Sequence, residues 1–393
     1  MAIDDRAGVE AVDAARSRVQ GVRDWIPRPT LTGTDYTAAA VWAEERERLF
    51  FGGWFCVGRA DEVPSTGDYL VRDVAGESVF VVRNREGELR AFYNVCAHRG
   101  TRLLDQEPAC GTLGKALKCP YHAWSYDLNG HLLATPNVHE DEEFERAAHS
   151  LSAIAVGEYA GFLFVSLAEN PRSLREHLLD SNETITDFDR YRMDQLKLAR
   201  RITYDVKANW KIVVENYNEC LHCPTIHPEL VQVVPLFRFG EVWDEDIRDD
   251  GLQMMDGATS FNPTGTSTLP RLPGLLDEDL NRYYGIYQFP NIALDMHPDC
   301  VQYYVLVPRG PAHTTVISDY LFMPETLAER DVSKEPVVDF WDLISKQDWA
   351  VCERAQVGVQ SRAYRSGVYP RKDRFLYWFN EEYRRWMGRP SLG

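Results

Sequence analysis

Residues 96–122 read CAHRGTRLLDQEPACGTLGKALKCPYH, and this stretch decides how the rest of the chain is interpreted. It contains Cys96-x-His98 and, after twenty intervening residues, Cys119-x-x-His122. Thiolate sulfur and imidazole nitrogen are ligands that soft and borderline metal ions favour in proteins. Two such pairs, each carried on a loop, predict a metal centre.

Two kinds of metal centre use two cysteines and two histidines. The mixed order C-x-H…C-x-x-H is typical of a Rieske [2Fe-2S] cluster, in which the cysteines hold one iron and the histidines hold the other. A structural zinc site has the same ligand types, but its modules usually open with C-x-x-C or a wider cysteine spacing. We therefore predict a Rieske cluster with four ligands, namely Cys96, His98, Cys119 and His122.

The composition describes a folded protein with room for two or more domains. Of its 393 residues, 44% are hydrophobic and 12% aromatic. The net charge of −17 argues against nucleic acid as a partner and favours organic cations and basic protein surfaces. The N-terminus lacks the apolar core of a signal peptide, and no run reaches the length of a membrane span. We expect a cytoplasmic protein without a membrane partner, whose remaining cysteines are buried thiols.

The pattern of short apolar runs predicts three parts. Residues 1–45 are expected to be a helical lead-in that packs on the catalytic domain. From residue 46 to about 165, the β-branched runs DYLVRDV, ESVFVVRN and ELRAFYNV predict a small antiparallel sheet that presents the cluster loops, closed by a strand EYAGFLFVSL. Residues 166–393 mix helices with longer strands such as YYGIYQFPNIALDM and predict a larger antiparallel sheet. Residues 241–274 are expected to form a mobile loop near a substrate entrance, or an ordinary surface linker.

A second group of candidate ligands lies in NWKIVVENYNECLHCPTIHPE, residues 209–229. Glu219 and His222 are three apart, so a helix would place them on one face. His227 comes five residues after His222, and the prolines at 224 and 228 predict a break that returns it to His222. Two histidines and one carboxylate form the ligand face of a non-haem iron that keeps positions open.

The third ligand and the metal itself remain open at this point. A later helix, FWDLISKQDWAVCERAQVGVQ, offers three carboxylates: Asp342, Asp348 and Glu353. Alternatively, the local cysteines and histidines could form a zinc site of their own from Cys220, His222, Cys223 and His227.

The two stretches, in this order and at this separation, resemble the oxygenase (alpha) component of the Rieske non-haem iron oxygenases. The resemblance covers the chain from about residue 45 to its C-terminal helix. It implies an α+β fold, with a small all-β Rieske domain followed by a helix-grip (START-like) catalytic domain. It also implies that mononuclear Fe(II) is bound by His222, His227 and Asp348. In this family an acidic residue, here Glu219, carries electrons across a subunit boundary from a cluster histidine, within a head-to-tail homotrimer.

Departures within the motif point to a subgroup. Ring-hydroxylating members usually carry Asp where this chain has Glu219, and the motif is more similar to the carnitine and choline monooxygenases and the glycine-betaine and stachydrine demethylases. Leu221 is a small mismatch to that subgroup, which commonly has Tyr at this position, but the rest of the motif agrees with it. We therefore expect hydroxylation or oxidative N-demethylation of a quaternary or methylated amine, with Asn216 as a further candidate at the iron site.

The source of electrons follows from a missing motif. The sequence contains no G-x-G-x-x-G dinucleotide fingerprint, so electrons must come from NAD(P)H through a separate flavin and iron–sulfur reductase. Three other functions remain possible from the sequence: an aromatic-ring dioxygenase or O-demethylase, a Rieske electron carrier without oxygenase activity, and a zinc-stabilised binding module.

Overall fold

The computed structural model describes residues 25–106, 109–136, 138–139, 143–240 and 251–392. The first 24 residues of the predicted lead-in, and residues 241–250 of the predicted loop, lie outside these ranges.

The N-terminal stretch is short and mostly helical. It consists of strand β1 (Arg28–Pro29), helices α1 (Gly33–Thr37) and α2 (Ala39–Glu45), and a π-helical turn (Arg46–Phe51). The buried Glu45 carboxylate accepts a hydrogen bond from Trp210 Nε1 at 3.0 Å and forms an ion pair with Lys211. These contacts fix the N-terminal stretch against the helix that begins at Trp210.

The next stretch contains two antiparallel sheets. The larger one is built from β2 (Phe55–Arg59), β3 (Asp68–Val74), β4 (Glu77–Arg83), β5 (Leu89–Tyr93), β6 (Cys110–Thr112), β10 (Ala153–Tyr159) and β11 (Phe162–Ser166). Its strand order is β2-β11-β10-β5-β4-β3-β6. The smaller sheet contains β7 (Leu117–Lys118), β8 (Ser125–Tyr126) and β9 (Leu132–Ala134). The three β-branched runs are β3, β4 and β5, as predicted.

The prediction of one closing strand over EYAGFLFVSL was wrong. Ala160 and Gly161 have φ values of 49° and 81°, so the chain turns there and the run is divided between β10 and β11. The two strands pair antiparallel, with Tyr159 opposite Phe162. An apolar run does not reveal a two-residue turn when one of the turn residues is alanine.

The remaining stretch combines helices with a second large sheet. Its helices are α3 (Leu174–Leu179), α4 (Trp210–Tyr217), α5 (Cys223–Ile226), α6 (Leu230–Val233), α7 (Pro324–Glu329), α8 (Pro336–Val359) and α9 (Arg374–Trp386). Its strands are β12 (Lys197–Val206), β13 (Leu252–Gln253), β14 (Arg282–Gln288), β15 (Ile292–Met296), β16 (Val301–Gly310), β17 (His313–Phe322) and β18 (Val368–Tyr369). Short 3₁₀ helices occupy Ala60–Glu62, Ala147–His149, Ile185–Tyr191, Pro235–Phe239, Asp277–Asn281, Val332–Lys334 and Arg371–Asp373.

The second large sheet has the antiparallel order β12-β17-β16-β15-β14-β13, and β18 pairs separately with β1. The predicted strand YYGIYQFPNIALDM is in fact a hairpin, because the chain reverses between Gln288 and Ile292 and β14 pairs with β15. Pro290 has no N–H to donate to a ladder, which makes this position suitable for a turn.

Burial explains how these elements are held together. One apolar cluster joins Phe55 and Leu163 of the first large sheet to Trp210 of α4 and Tyr304 of the second. Part of the predicted mobile loop is also buried, since Phe261 has no exposed surface. The described part of that loop therefore covers the core beneath it. One face of the second large sheet packs against α4 and α8, and this packing positions the residues considered next.

Candidate metal centres

The two cluster loops share one backbone design. The amide of Gly100 donates to the carbonyl of Cys96 at 2.9 Å, and the amide of Cys96 donates to the carbonyl of Thr101 at 2.8 Å. The second loop repeats this pattern from Cys119, with Ala123 and Trp124 in the matching positions, at 3.1 and 2.8 Å. Gly100 and Ala123 both have positive φ, 71° and 62°. Both cysteines are thus held at the start of matching tight turns.

The side chains of the four predicted cluster ligands are brought together. Cys96 and Cys119 are buried, at 2% and 3% exposure. The rings of His98 and His122 are partly exposed, with centroids 4.8 Å apart at 74°. This division places the sulfur atoms inside and the imidazoles towards the surface, from which an electron donor or acceptor could approach.

The environment of Cys96 fits a positively charged metal group. Burial and the neighbouring Cys119 both raise the pKa of the Cys96 thiol. Two adjacent buried thiolates would repel each other unless iron compensates their charge. Cys96 Sγ also lies 3.2 Å from the Tyr126 hydroxyl, which accepts a hydrogen bond from the amide of Ala97.

A second convergence lies between the end of α4 and the middle of α8. His227 Nε2 is 2.8 Å from Asp348 Oδ1, and His222 Nε2 is 3.2 Å from the same oxygen. The imidazole centroids are 5.0 Å apart at 76°. Two nitrogen atoms and one carboxylate oxygen therefore face a single point.

The local fold explains how the two histidines meet. The four-residue helix α5 carries Pro224 in its first turn, and His227 follows as its C-terminal cap with φ −121° and ψ 66°. The predicted break that returns His227 to His222 is therefore present.

The prediction that Glu219 and His222 share a helical face was wrong, because α4 ends at Tyr217. Glu219 instead lies in a turn, where its carboxylate accepts hydrogen bonds from the amides of Leu221 and His222. The two side chains nevertheless meet, with His222 Nδ1 2.5 Å from Glu219 Oε1. The turn achieves the contact that a helix was expected to make.

Both histidines are oriented through their other ring nitrogen. Glu219 holds His222, and Gln347 Oε1 lies 2.7 Å from His227 Nδ1. Each Nε2 is therefore turned towards Asp348. Such outer partners commonly fix the tautomer and ring orientation of metal-binding histidines. Asn216 Nδ2 lies 3.5 Å from His222 Nε2, at the edge of the same point.

The electrostatics of this point fit a bound cation. Burial alone would raise the pKa of Asp348, but hydrogen bonds with His222 and His227 outweigh it and lower the pKa. Burial opposes a charged His222, yet Asp348 and Glu219 raise its pKa to about 10. The two carboxylates therefore favour positive charge between the imidazoles, and a divalent iron ion would supply it. The donor set suits mononuclear iron.

The other candidate carboxylates lie elsewhere on α8. Asp342 accepts a hydrogen bond from Tyr204 at 2.8 Å, and Glu353 accepts one from the amide of Lys207 at 3.0 Å. Of the three, the structure brings Asp348 to the histidines.

The expectation of buried thiols was wrong for three cysteines, one of which, Cys110, is an exposed thiol. Cys220 and Cys223 form a disulfide, with Cα atoms 4.9 Å apart. The Cys223 sulfur still lies 3.9 Å from His222 Nε2. The ligand atoms of His222, Cys223 and His227 lie within 4.8 Å of one another, close enough to share a metal ion. In the disulfide, neither sulfur carries the thiolate that the alternative zinc site requires.

Three neighbours of the two centres were not foreseen. Trp124 stacks on His98 at 4.7 Å and 11°, Tyr126 contacts the Cys96 sulfur, and Gln347 orients His227. Trp124 and Tyr126 follow the second cluster loop closely, and Gln347 precedes Asp348, so proximity in sequence to a ligand was the available signal.

Two family models match the chain. The model described as Rieske [2Fe-2S] domain matches residues 53–153, and the model described as ring hydroxylating alpha subunit (catalytic domain) matches residues 193–389. The matches confirm the predicted order of a Rieske domain and a catalytic domain. The alternative prediction, an isolated electron carrier, does not explain the match to the catalytic domain.

Similar proteins cover most of the chain. The oxygenase subunit of glycine betaine monooxygenase from Chromohalobacter salexigens is 33% identical, over 86% of this chain and 81% of that protein. The oxygenase subunit of carnitine monooxygenase from Acinetobacter baumannii is 32% identical, over 84% of this chain and 85% of its own length.

Solved structures agree with this fold. The quaternary ammonium Rieske monooxygenase CntA, solved with an inhibitor, has a TM-score of 0.75 at 25% identity, covering 94% of this chain and 98% of its own. Naphthalene 1,2-dioxygenase from Rhodococcus sp. shares the fold, with a TM-score of 0.70 at 19% identity over 95% and 98% of the two chains. Within the described ranges, every helix is too short or too polar to cross a lipid bilayer.

Proposed function

Since the chain belongs to the ring-hydroxylating oxygenase alpha-subunit family and carries a Rieske [2Fe-2S] domain, we propose that it oxidatively demethylates a quaternary or methylated amine. It is a Rieske-type terminal oxygenase, an oxidoreductase that uses dioxygen. The observation that carries the proposal is the convergence of His222 and His227 on Asp348 in a chain that also holds the two cluster loops. The amine substrate is supported by the relatives, which are named for glycine betaine and carnitine.

The proposed ligands form two separate metal sites. Cys96, His98, Cys119 and His122 would hold the [2Fe-2S] cluster, and His222, His227 and Asp348 would hold mononuclear iron. When bound, these groups supply one-electron transfer and activation of dioxygen, respectively. The protein contributes fixed orientation, because Glu219 and Gln347 each hold one iron-site imidazole through Nδ1. Asn216 lies beside His222 and would limit where substrate can approach.

The proposed reaction removes one methyl group. A quaternary amine, dioxygen, two electrons and two protons give a protonated tertiary amine, formaldehyde and water. One oxygen atom enters a C–H bond next to nitrogen, and the resulting hemiaminal breaks its C–N bond to release formaldehyde. The other oxygen atom leaves as water. A separate reductase, with NAD(P)H as distal donor, would supply both electrons.

We also propose that Glu219 connects the iron site to the cluster of a neighbouring copy in a head-to-tail trimer. Its side chain retains 15% exposure while holding His222. The surface nearby exposes Leu221 at 38% and Phe239 at 68%, and the surface beside the cluster exposes Tyr121 at 59%. Exposed apolar groups at both places are suited to burial between copies. The division into residues 46–165 and 166–393 remains part of this proposal, supported by the two separate large sheets.

A substrate panel tests the proposed function. The purified chain is combined with a Rieske-type reductase and NADH, and oxygen uptake, formaldehyde and the amine product are measured for quaternary amines, methoxyarenes and naphthalene. We expect a quaternary amine to give equimolar formaldehyde and tertiary amine. Formation of a cis-diol from naphthalene, or of a phenol from a methoxyarene, without amine demethylation would contradict the proposal.

A further inference from the structure

A row of polar and small residues crosses one face of the second large sheet, from the exposed Gly285 to the buried Asp295 and Gln302. Strand pairing places Gly285 opposite Asp295, Asp295 opposite Gln302, and Gln302 opposite Tyr320. Directly opposite residues of antiparallel strands point to the same face. This face looks towards the helices, because the Tyr320 hydroxyl donates to the carbonyl of Val338 on α8 at 3.4 Å.

Two acceptor oxygens in this row lack a partner. Asp295 Oδ1 accepts hydrogen bonds from Tyr283 at 2.5 Å and Tyr217 at 3.1 Å, whereas Asp295 Oδ2 is buried without a partner among the described residues. Gln302 donates through Nε2 to Ser318 Oγ at 2.9 Å, and its Oε1 is likewise buried and unpartnered within the described part of the chain. A buried acceptor without a partner is costly. Adjacent acceptors of this kind indicate a site for a cation or a hydrogen-bond donor.

The surroundings favour a cation. Burial and, to a smaller extent, the carboxylate of Asp348 raise the pKa of Asp295 to about 7, although the hydroxyls of Tyr283 and Tyr217 act to lower it. These influences include no arginine or lysine among the described residues. A ligand carrying positive charge would therefore be the counter-ion that stabilises ionised Asp295.

Aromatic side chains lie beside the same carboxylate. Tyr217 and Tyr283 both contact Asp295 through their hydroxyls, and the Tyr217 ring lies 6.3 Å from the ring of Tyr304. Gly285 makes the Tyr283 contact possible, since a Cβ at this position would lie 2.5 Å from the Tyr283 hydroxyl. Aromatic faces attract quaternary ammonium ions, which have no N–H group to donate in a hydrogen bond.

The row adjoins the proposed iron site through two helices. Tyr217 follows Asn216, which is 3.5 Å from His222 Nε2. On α8, Ser345 lies one turn before Asp348 and its hydroxyl is 2.7 Å from the Tyr304 hydroxyl. The negative charge of Asp348 contributes to the raised pKa of Asp295, after the larger effect of burial. A group bound at Asp295 would therefore lie on the side of the sheet that faces the metal ligands.

We propose that Asp295, assisted by Gln302, binds the ammonium group of the substrate and selects cations over neutral molecules of the same shape. The inference rests on the proposed function and narrows it by assigning the carboxylate that recognises the charge. The ammonium would be held between Asp295 and the tyrosine rings, which leaves one N-methyl group directed towards His222, His227 and Asp348. The substrate class is thus an alkylated ammonium ion.

The test compares two ligands that differ in charge. Choline and 3,3-dimethylbutan-1-ol have nearly the same shape, but only choline carries a quaternary nitrogen. Binding of each to anaerobic holoenzyme is measured by titration calorimetry for wild type, Asp295→Asn and Asp295→Glu. Asp299→Asn is the matched control, because Asp299 is also buried and follows the same strand but lies outside the row. Burial raises the pKa of its carboxyl, and hydrogen bonds with Ser260, Ser267 and Cys300 oppose the increase.

We expect wild type to bind choline at least about tenfold more tightly than the neutral alcohol. Asp295→Asn should remove this preference by weakening choline binding, with little change for the alcohol. Asp295→Glu and Asp299→Asn should both retain the preference. Cluster absorbance and circular dichroism identify a misfolded variant, and the comparison then rests on wild type and Asp295→Glu.

Two results would overturn the inference: equal binding of both ligands by wild type, or an unchanged preference in folded Asp295→Asn. If either result is found for an enzyme that demethylates amines, the role of Asp295 is refuted and the proposed function stands. If the cation preference depends on Asp295 but the enzyme releases no formaldehyde, the role of Asp295 is supported and the proposed demethylation is refuted.

Discussion

His227 Nε2 lies 2.8 Å from Asp348 Oδ1, although 121 positions separate the two residues in sequence. The contact joins the short helix after α4 to the middle of α8 and completes a set of two imidazoles and one carboxylate with His222. A site assembled from separate elements in this way depends on the correct tertiary fold. It also allows each ligand to be removed without disturbing the cluster loops.

Replacing Asp348 with asparagine should remove the mononuclear iron. The neutral amide cannot supply the anionic oxygen that the two imidazoles face, and metal affinity depends on ligand charge. We expect total iron to fall by about one third, with acid-labile sulfide and cluster absorbance unchanged. Asp342→Asn, on the same helix but bonded to Tyr204, should retain all the iron. Full iron occupancy in Asp348→Asn would contradict the proposed ligand set.

Glu219→Gln should stop turnover without removing either metal group. A carboxylate can accept hydrogen bonds from His222 and from a second histidine at once, whereas an amide offers only one acceptor oxygen. We expect normal iron content and cluster spectra, but no substrate-dependent oxygen uptake above background. Glu353→Gln, which alters an acid bonded to the Lys207 amide, serves as the control. Retained turnover in Glu219→Gln would rule out the bridging role.

The cysteine pair next to His222 should be protected from alkylation. Cys220 and Cys223 form a disulfide, so denatured protein treated with iodoacetamide under non-reducing conditions should leave both unmodified. Prior reduction should add two carbamidomethyl groups to the peptide that contains them. Cys352, a buried thiol of α8, should be modified under both conditions. Alkylation of both cysteines without reduction would show that they are thiols in the protein.

The pH dependence of stability should contain a contribution from His297. Burial lowers its pKa to about 3, and its Nε2 accepts a hydrogen bond from Trp341 at 3.1 Å. The pKa of histidine in an unfolded chain is about 6.5, so below that pH the unfolded chain binds a proton that the folded chain excludes. The free energy of unfolding should therefore decrease as pH falls from about 6.5 towards about 3. Between pH 7 and pH 5 the loss from this residue should be about 2 kcal/mol.

Urea unfolding at these two pH values measures the effect. His297→Gln retains an acceptor for Trp341 but cannot titrate, so it should lose less stability between pH 7 and pH 5 than wild type. The matched variant His131→Gln alters a side chain that is 69% exposed and should follow wild type. An identical pH response in wild type and His297→Gln would contradict the assignment.

The sequence was most informative where ligands are close together. Cys96 and His98 are separated by one residue, so their spacing alone predicts a metal loop. The prediction that Asp348 joins His227 rested on the family resemblance, since three carboxylates on α8 were equally compatible with the spacing. The structure then distinguished them, because the direction in which each side chain leaves α8 depends on how that helix packs.

Other features required the folded backbone. The helical relation between Glu219 and His222 was wrong because a turn stabilised by the Glu219 carboxylate itself replaces the last part of the helix. Asp295 was not anticipated, since its neighbours Gln302 and Gly285 are set by the register of three strands. Strand register and the end of a helix are decided by tertiary contacts that a local pattern does not contain.

A single-turnover experiment with the oxygenase alone tests directly whether the cluster and the mononuclear iron together demethylate a quaternary amine. Holoenzyme is chemically reduced, freed of reductant, and mixed with dioxygen and the quaternary amine selected in the substrate panel. The proposed demethylation predicts reoxidation of the cluster together with formaldehyde approaching the amount of mononuclear iron, and no formaldehyde from Asp348→Asn. Cluster reoxidation without formaldehyde in wild type, or an equal formaldehyde yield from Asp348→Asn, would contradict it.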